Sequence, residues 1–234
     1  MTRQLVLDLL PAPAPTLENF VTGGNGAALD ALRHCTGGRA IYLWGAPGSG
    51  RTHLLRALGQ APAAGYIGAP GSAARINAIA LAESAAPRLI AIDDVDLLDE
   101  DGQAALFSLY NRWRETSSTA QAFVLLVSGR QSPLATPLRE DLRTRLGWDL
   151  VFRLELLSDP DRAQALRTRA IERGLKLSTE VVNWILTHYD RDMSRLTALL
   201  DALDHYSVQE HRAITLPLLK DLLAMAQPND TDAS

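Results

Sequence analysis

The chain has 234 residues, of which 47% are hydrophobic and 21% are charged, and its formal net charge is -4. This composition excludes a disordered or fibrous chain, and the acidic balance excludes a general electrostatic attraction to nucleic acid or to anionic membranes. Its single cysteine excludes an internal disulfide, and no run approaches the ~20 apolar residues of a membrane span, so we expect a cytoplasmic protein.

Residues 1–15 combine the hexapeptide QLVLDL with a Pro/Ala tether. The prolines favour an extended, semi-rigid chain, which would present the hexapeptide away from the folded body. A docking peptide would place a glutamine in a polar subsite and leucines in an apolar pocket. The candidate partner-binding residues are Gln4, Leu5, Leu7 and Leu9. The alternating pattern is equally typical of a β-strand added to a sheet edge.

Short apolar runs then alternate with helical patterns over residues 16–157. The runs are RAIYLW, GYIG, RLIAID, AFVLLVSG and VFRLELL. Continuous apolar strands joined by helices predict an α/β domain in which helices cover both faces of a parallel sheet.

Only helical patterns follow the last of these runs, near 159–173, 178–189, 192–206 and 215–226. Ser158 can cap the first of these helices, with Pro160 and Asp161 in its first turn. Residues 158–234 are therefore predicted to form a small all-α subdomain with a short polar tail.

The stretch GAPGSGRT fits the phosphate-binding pattern G-x-x-x-x-G-[KR]-[ST] and lies between a predicted strand and a predicted helix. Its glycines let backbone N–H groups turn onto phosphate at the helix N-terminus. The candidate nucleotide-binding residues here are Gly45, Ala46, Pro47, Gly48, Ser49, Gly50, Arg51, Thr52 and His53. An ordinary glycine-rich turn is the alternative, and a helical histidine more often packs than binds.

Two further strand ends carry polar residues. LIAIDD ends in Asp93, which could hold Mg²⁺ beside the hydroxyl of Thr52, and in Asp94, a candidate catalytic acid. VLLVSG ends near Ser128, which could sense a γ-phosphate or the attacking water. The alternatives are that the acids cap the next helix and that the serine only ends its strand.

Arg51 occupies the position at which phosphate-binding loops usually carry lysine. A guanidinium is a planar fork, whereas lysine is a compact and mobile point charge. Asp94 is also one methylene shorter than the glutamate found there in many related ATPases. We therefore expect nucleotide binding to be retained better than hydrolysis.

Arg143 and Arg145 precede the last strand in LRTRLGWD. Either can be an ordinary exposed helix arginine. The alternative is an arginine that reaches a neighbouring subunit's nucleotide and stabilises transition-state charge there.

Taken together, these segments resemble the Hda family, regulatory relatives of the bacterial initiator DnaA within the AAA+ superfamily. The resemblance runs over nearly the whole chain. It rests on QLVLDL, LENFVTGGN, YLWGAPGSGRTHLL, IDD, LYNR, SGRQSP, RTRLGWDLVFRLELLSD and DRDMSRLTALLDALD. It implies an AAA+ P-loop sheet domain followed by a helical lid, and a nucleotide holder rather than a working NTPase.

In this family the N-terminal peptide binds the replicative sliding clamp, and the clamp-bound protein promotes hydrolysis of ATP held by DnaA. The resemblance therefore implies that the protein regulates replication initiation negatively. Implied ligands and partners are ADP (or ATP) with Mg²⁺, DnaA, the β-subunit clamp of DNA polymerase III and a second copy in a homodimer. Val6 and Asp8 depart from the family's usual peptide and are expected to weaken docking.

Individual roles follow from the same resemblance. Arg145 would be an arginine finger acting in trans, Ser128 the first sensor, and Phe20 and Val21 the residues flanking adenine. Ser194 stands where a second-sensor arginine is usual, with Arg195 one step and ~100° of helix rotation away, so the choice between them stays open.

The second interpretation of the sequence is an autonomous AAA+ ATPase, such as a helicase loader or DNA-remodelling factor, which would turn over ATP alone. The third is a scaffold whose loop binds no nucleotide. Since the sequence ends soon after the last predicted lid helix, no dedicated DNA-binding domain is expected.

Overall fold

The computed structural model describes residues 14–82, 87–189 and 192–226. Within these ranges the chain divides into two compact units. One unit spans Pro15–Leu156, and the other contains the residues from Leu157 onward. The first contains every described strand, and the second is helical.

A five-stranded sheet organises the first unit, with the strand order β2-β3-β4-β1-β5, and every pairing among its described residues is parallel. Its elements are α1 (Gly26–Arg33), β1 (Ala40–Trp44), α2 (Arg51–Gly59), β2 (Ala64–Gly68), α3 (Ala73–Ala80), β3 (Leu89–Asp93), α4 (Glu100–Thr116), β4 (Val124–Gly129), α5 (Glu140–Leu146) and β5 (Leu150–Arg153). Single-turn 3₁₀ helices cover Val95–Leu97 and Pro133–Ala135. This confirms the predicted parallel sheet and its helical connections.

Both faces of the sheet are covered, which explains why its central strands are continuously apolar. On one face, Ile92 and Val127 pack in a cluster with buried residues of α3, α4 and α5. On the other face, Ala91 and Leu126 pack with buried residues of α1 and α2. Strands β3 and β4 are buried along their whole length.

The strand predicted over VFRLELL is shorter than expected. β5 ends at Arg153 and lies at the sheet edge, where only β1 pairs with it. Leu154 N still donates to Trp44 O of β1 at 2.7 Å, and the backbone turns to another partner at Glu155, whose N–H donates to the side chain of Asn25. An edge strand pairs with a neighbour on one side alone, so the Asn25 side chain can bond the backbone groups of Glu155 that would otherwise extend β5.

Four helices form the second unit: α6 (Asp159–Glu172), α7 (Thr179–His188), α8 (Met193–Gln209) and α9 (Leu216–Ala226). Ser158 caps α6 as the sequence predicted, and Asp161 returns a hydrogen bond to it, which completes a reciprocal capping box. A shared apolar core holds the helices together, including Leu166, Ile185, Leu203 and Leu219. None of the helices in the described ranges is long and apolar enough to cross a membrane.

Asn25 joins two distant parts of the first unit. Its side chain is buried; Nδ2 donates to Glu155 O at 3.0 Å, and Oδ1 accepts from Glu155 N at 2.7 Å. The neighbouring Gly24 leaves room for this approach, because a Cβ there would lie 2.7 Å from Glu155 Oε2. The asparagine that begins α1 therefore fixes the segment that follows β5.

Replacing Asn25 with Ala should lower the free energy of unfolding by about 1–3 kcal/mol, because it leaves backbone groups of Glu155 without their partner. Urea unfolding followed by circular dichroism measures this loss. Asn183→Ala, at an exposed position of α7, is the control and should change stability by no more than about 0.5 kcal/mol. Equal losses in the two variants would contradict the role of Asn25.

Candidate nucleotide-binding site

The phosphate-binding pattern forms a tight loop between β1 and α2. Gly48 and Gly50 have φ angles of 82° and 91°, a region that L side chains rarely adopt. The loop is held by Ser49 N, which donates to Ala46 O at 3.1 Å, and by Gly45 N, which donates to Gly129 O at 3.3 Å. The backbone thus adopts a glycine-dependent loop that leads directly into a helix N-terminus, where N–H groups favour an anion.

Phe20 covers the end of this loop. A Cβ added to Gly50 would lie 2.6 Å from Phe20 Cε2, and the Phe20 ring packs 5.6 Å from the imidazole of His53. His53 Nε2 lies 2.9 Å from Thr16 O, within hydrogen-bonding distance. Val21 follows Phe20 and is half-buried. The structure therefore brings Phe20 and His53, both candidate nucleotide-binding residues, to the start of α2.

The acidic end of β3 is built around Asp93, which is only 2% exposed. Its Oδ1 accepts a short hydrogen bond from the Ser128 hydroxyl, and its Oδ2 accepts one from the Tyr66 hydroxyl at 2.8 Å. Asp94 N in turn donates to Ser128 Oγ at 3.0 Å. Ser128 therefore contacts both acidic residues, a pairing that the sequence did not predict. Sequence reasoning missed Tyr66, whose only signal was a hydroxyl within the run GYIG.

Arg51 and Asp94 form an ion pair, with 3.0 Å between Nη1 and Oδ1. The Arg51 residue is 7% exposed, and these two atoms make no aligned hydrogen bond, so the attraction is chiefly coulombic. Burial raises the pKa of the Asp94 carboxyl, the charge of Asp93 raises it further, and Arg51 opposes the shift. The unusual loop arginine and the candidate catalytic acid thus neutralise each other.

The residues of the loop and the strand end fit a nucleotide with Mg²⁺. Ser49 Oγ is buried without a hydrogen-bond partner among the described residues, which leaves a polar atom available within the loop. Thr52 lies in the first turn of α2, and Asp93 keeps a second acceptor position on each oxygen. A hydroxyl and a carboxylate beside phosphate are ligands that Mg²⁺ prefers.

Arg145 lies on α5, and its guanidinium packs against α4. The Arg145 residue is half-buried. Its Nη1 donates to Asp141 O at 3.2 Å, and its Nη2 donates to Asn111 Oδ1 at 3.4 Å. Its Cζ lies 3.9 Å from the ring centroid of Phe107 and 5.0 Å from that of Trp148. The side chain is thus held at the surface of the unit. Sequence reasoning missed the two aromatic residues.

Two groups of candidate residues are not part of the first unit's described residues. Ser194 and Arg195 are in the first turn of α8, and the Arg195 side chain is exposed while its backbone N–H donates to Asp192 Oδ1 at 3.2 Å. Gln4, Leu5, Leu7 and Leu9 fall outside the described residues.

The fold places this chain in a known class. A five-stranded parallel sheet with a glycine loop, an acidic strand end and a following helical unit is the AAA+ architecture. Domain III of DnaA from Thermotoga maritima matches with a TM-score of 0.69 and 23% identity, over 94% of this chain and 100% of that one. AMPPCP-bound DnaA from Aquifex aeolicus matches with a TM-score of 0.66 and 21% identity, over 86% and 68%. A RuvB mutant from Thermotoga maritima matches with a TM-score of 0.64 and 16% identity, over 90% and 71%.

Two sequence comparisons identify the family within the AAA+ class to which this chain belongs. Residues 159–223 match the model of the Hda lid domain. An uncharacterized protein from Haemophilus influenzae is 34% identical over 235 aligned positions, which cover 95% of this chain and 99% of that protein. The chain belongs to the Hda family of DnaA-related AAA+ proteins.

Alanine substitutions should separate the two glycines of the loop that have positive φ. Gly48→Ala should cost about 1–2 kcal/mol of stability through its backbone conformation alone, since no atom crowds the new Cβ. Gly50→Ala should cost roughly 1–3 kcal/mol more, because its Cβ also clashes with Phe20. Urea unfolding measures both losses. Equal losses would contradict the close packing of Phe20 on Gly50.

Proposed function

We propose that the protein is a regulator of replication initiation that binds ADP with Mg²⁺, docks on the DNA-loaded sliding clamp and stimulates hydrolysis of DnaA-bound ATP. Arg145 would supply the stimulating charge in trans. The observation that carries this proposal is membership of the Hda family, together with an arginine held at the surface of the sheet unit.

Nucleotide binding is supported by the loop geometry and the acidic strand end. Phosphates would contact the backbone N–H groups of the loop and the Arg51 guanidinium, while Thr52 and Asp93 would hold Mg²⁺. The metal would neutralise phosphate charge when bound. Nucleotide must compete with Asp94 for Arg51, because the two side chains are paired at 3.0 Å.

Weak intrinsic hydrolysis follows from the same ion pair. A general base must be ionised and free to orient water. Asp94 is engaged by Arg51, with 3.0 Å between Nη1 and Oδ1, and is therefore not free to orient water. The protein is therefore proposed to hold nucleotide with little turnover, which separates it from the autonomous ATPase of the second interpretation.

The environment of Arg145 suits a charge that acts on another molecule. Phe107 and Trp148 contact the guanidinium, and Asn111 bonds one of its nitrogens, so the planar group is oriented before it meets a partner. Arginine presents several donors to phosphate oxygens in a fixed geometry. Inserted at the ATP of DnaA, it would stabilise charge that develops during phosphoryl transfer.

Clamp docking is proposed from the family and from the peptide QLVLDL, which lies outside the described residues. A homodimer remains a prediction from AAA+ interfaces, in which one subunit's arginine faces the next subunit's nucleotide. The second-sensor role also remains open between Ser194 and Arg195.

Arg145→Ala should abolish most of the stimulation of DnaA, since an arginine finger in trans contributes about 10³–10⁵ to the hydrolysis rate in measured systems. The measurement is hydrolysis of DnaA-bound ATP with DNA-loaded clamp present. Arg145→Ala should still bind ADP and clamp. Arg143→Ala is the matched control on the same helix and should stimulate like the wild type.

Three results would contradict this mechanism. Full stimulation by Arg145→Ala would remove the arginine finger from it. A wild-type protein that never accelerates hydrolysis by DnaA would overturn the regulatory function. Rapid ATP turnover by the protein alone would favour the autonomous ATPase.

The double substitution Gln4→Ala, Leu7→Ala should weaken clamp binding at least tenfold, because it removes the polar anchor and one buried leucine worth about 1.5–3 kcal/mol. Surface plasmon resonance on immobilised clamp measures the affinity. Thr2→Ala, just outside the hexapeptide, should bind like the wild type. Unchanged affinity of the double variant would place the docking surface elsewhere.

A further inference from the structure

Side chains from three adjacent strands meet at the acidic strand end: Tyr66 of β2, Asp93 of β3 and Ser128 of β4. In the register, Tyr66 lies opposite Ala91, two residues before Asp93. Side chains alternate along a strand, so Tyr66 and Asp93 project from the same face of the sheet. Ala91 packs in the cluster that contains buried residues of α2, so this is the face that α2 covers.

The hydroxyl groups of Tyr66 and Ser128 bond to different oxygens of the Asp93 carboxylate. Tyr66 donates to Oδ2 at 2.8 Å, and Ser128 donates to Oδ1. Rotation of the carboxylate would break both bonds, so its plane is fixed. Each oxygen can accept a second bond. The remaining acceptor positions therefore have set directions before any ligand arrives.

Tyr66 is itself held by the helix that begins at the phosphate-binding loop. The guanidinium of Arg56 lies 5.3 Å from the Tyr66 ring centroid. Gly59, the last residue of α2, packs so closely that a Cβ there would lie 2.9 Å from Tyr66 Cβ. Thus α2 carries Thr52 in its first turn and contacts the tyrosine that holds Asp93 near its end. Helix α2 therefore carries one proposed Mg²⁺-binding residue, Thr52, and is linked through Tyr66 to the other, Asp93.

We propose that Tyr66 is a positioning residue that sets the Mg²⁺ dependence of nucleotide binding by fixing the carboxylate of Asp93. The inference rests on the nucleotide binding proposed above. Partners that orient a metal ligand commonly change metal affinity 10–100-fold when they are removed. The hydroxyl carries this role, whereas the ring serves packing against α2.

Tyr66→Phe separates the two contributions, because it removes the hydroxyl and its contacts with Asp93 and Arg56 and keeps the ring packed against Gly59. Binding of a fluorescent ADP analogue is titrated in Mg²⁺ and again in EDTA. The gain in affinity that Mg²⁺ produces should fall at least tenfold in Tyr66→Phe. Affinity in EDTA should stay within about twofold of the wild type, because the phosphate contacts are untouched.

Tyr42→Phe is the matched control. It also removes a tyrosine hydroxyl, which here belongs to a buried residue and donates to Gln131 O at 2.8 Å, but Tyr42 packs in the cluster on the opposite face of the sheet. Its gain from Mg²⁺ should equal that of the wild type. A smaller gain in Tyr42→Phe as well would assign the effect to lost stability and overturn the inference.

The remaining outcomes are also decisive. An unchanged gain in folded Tyr66→Phe overturns the inference, and so does a wild type that binds ADP equally with and without Mg²⁺. A wild type that binds no ADP overturns the proposed nucleotide function itself. If Tyr66→Phe fails to fold, 3-fluorotyrosine at position 66 replaces it. Its ¹⁹F resonance should then shift with Mg²⁺–ADP and not with ADP in EDTA, and identical spectra would refute the role.

Discussion

A carboxylate buried at the end of an apolar strand is costly unless polar partners surround it, and this constraint organises the sheet unit. Asp93 is placed there because β3 is apolar up to its last residue. Neighbouring strands supply the two hydroxyl donors, and parallel pairing brings their ends to the same edge of the sheet. The polar chemistry of the site is therefore a consequence of strand order as much as of any single motif.

Under the proposed function, the balance of charge at this edge would separate nucleotide binding from hydrolysis. Of two adjacent carboxylates, Asp94 pairs with the buried guanidinium of Arg51, whereas Asp93 accepts hydrogen bonds from two hydroxyl groups. A cation beside Asp93 would complete the neutralisation that Arg51 begins. Asp94 is already paired with Arg51, and the other oriented arginine, Arg145, contacts Phe107 of α4 and Trp148, which follows α5.

Sequence reasoning could predict features whose residues are contiguous. The loop GAPGSGRT, the strand LIAIDD and the cap at Ser158 each carry their signal within a few positions, and the parallel sheet followed from runs of apolar residues. Contacts set by register were out of reach. Tyr66 meets Asp93 only because β2 pairs with β3 in one particular alignment.

Packing geometry limited the prediction in the same way. Phe107 and Trp148 come from different elements, so their convergence on Arg145 has no local signature. The length of β5 was overestimated. An apolar run does not reveal that the side chain of Asn25, at the start of α1, will bond to the backbone of Glu155 just after the strand. Because neighbouring helix residues differ by ~100° in direction, the sequence could not decide whether Ser194 or Arg195 serves as the second sensor.

The two hydrogen bonds between Asn25 and Glu155 also have a mechanical consequence. Tension applied to the segment between Phe20 and Asn25 would reach this pair of hydrogen bonds before it reaches the helix. Because the two bonds point in opposite donor directions between the same two residues, they share the load and resist shear together. A pull on the N-terminal side is therefore transmitted into the backbone beside β5, and α1 is spared from unwinding.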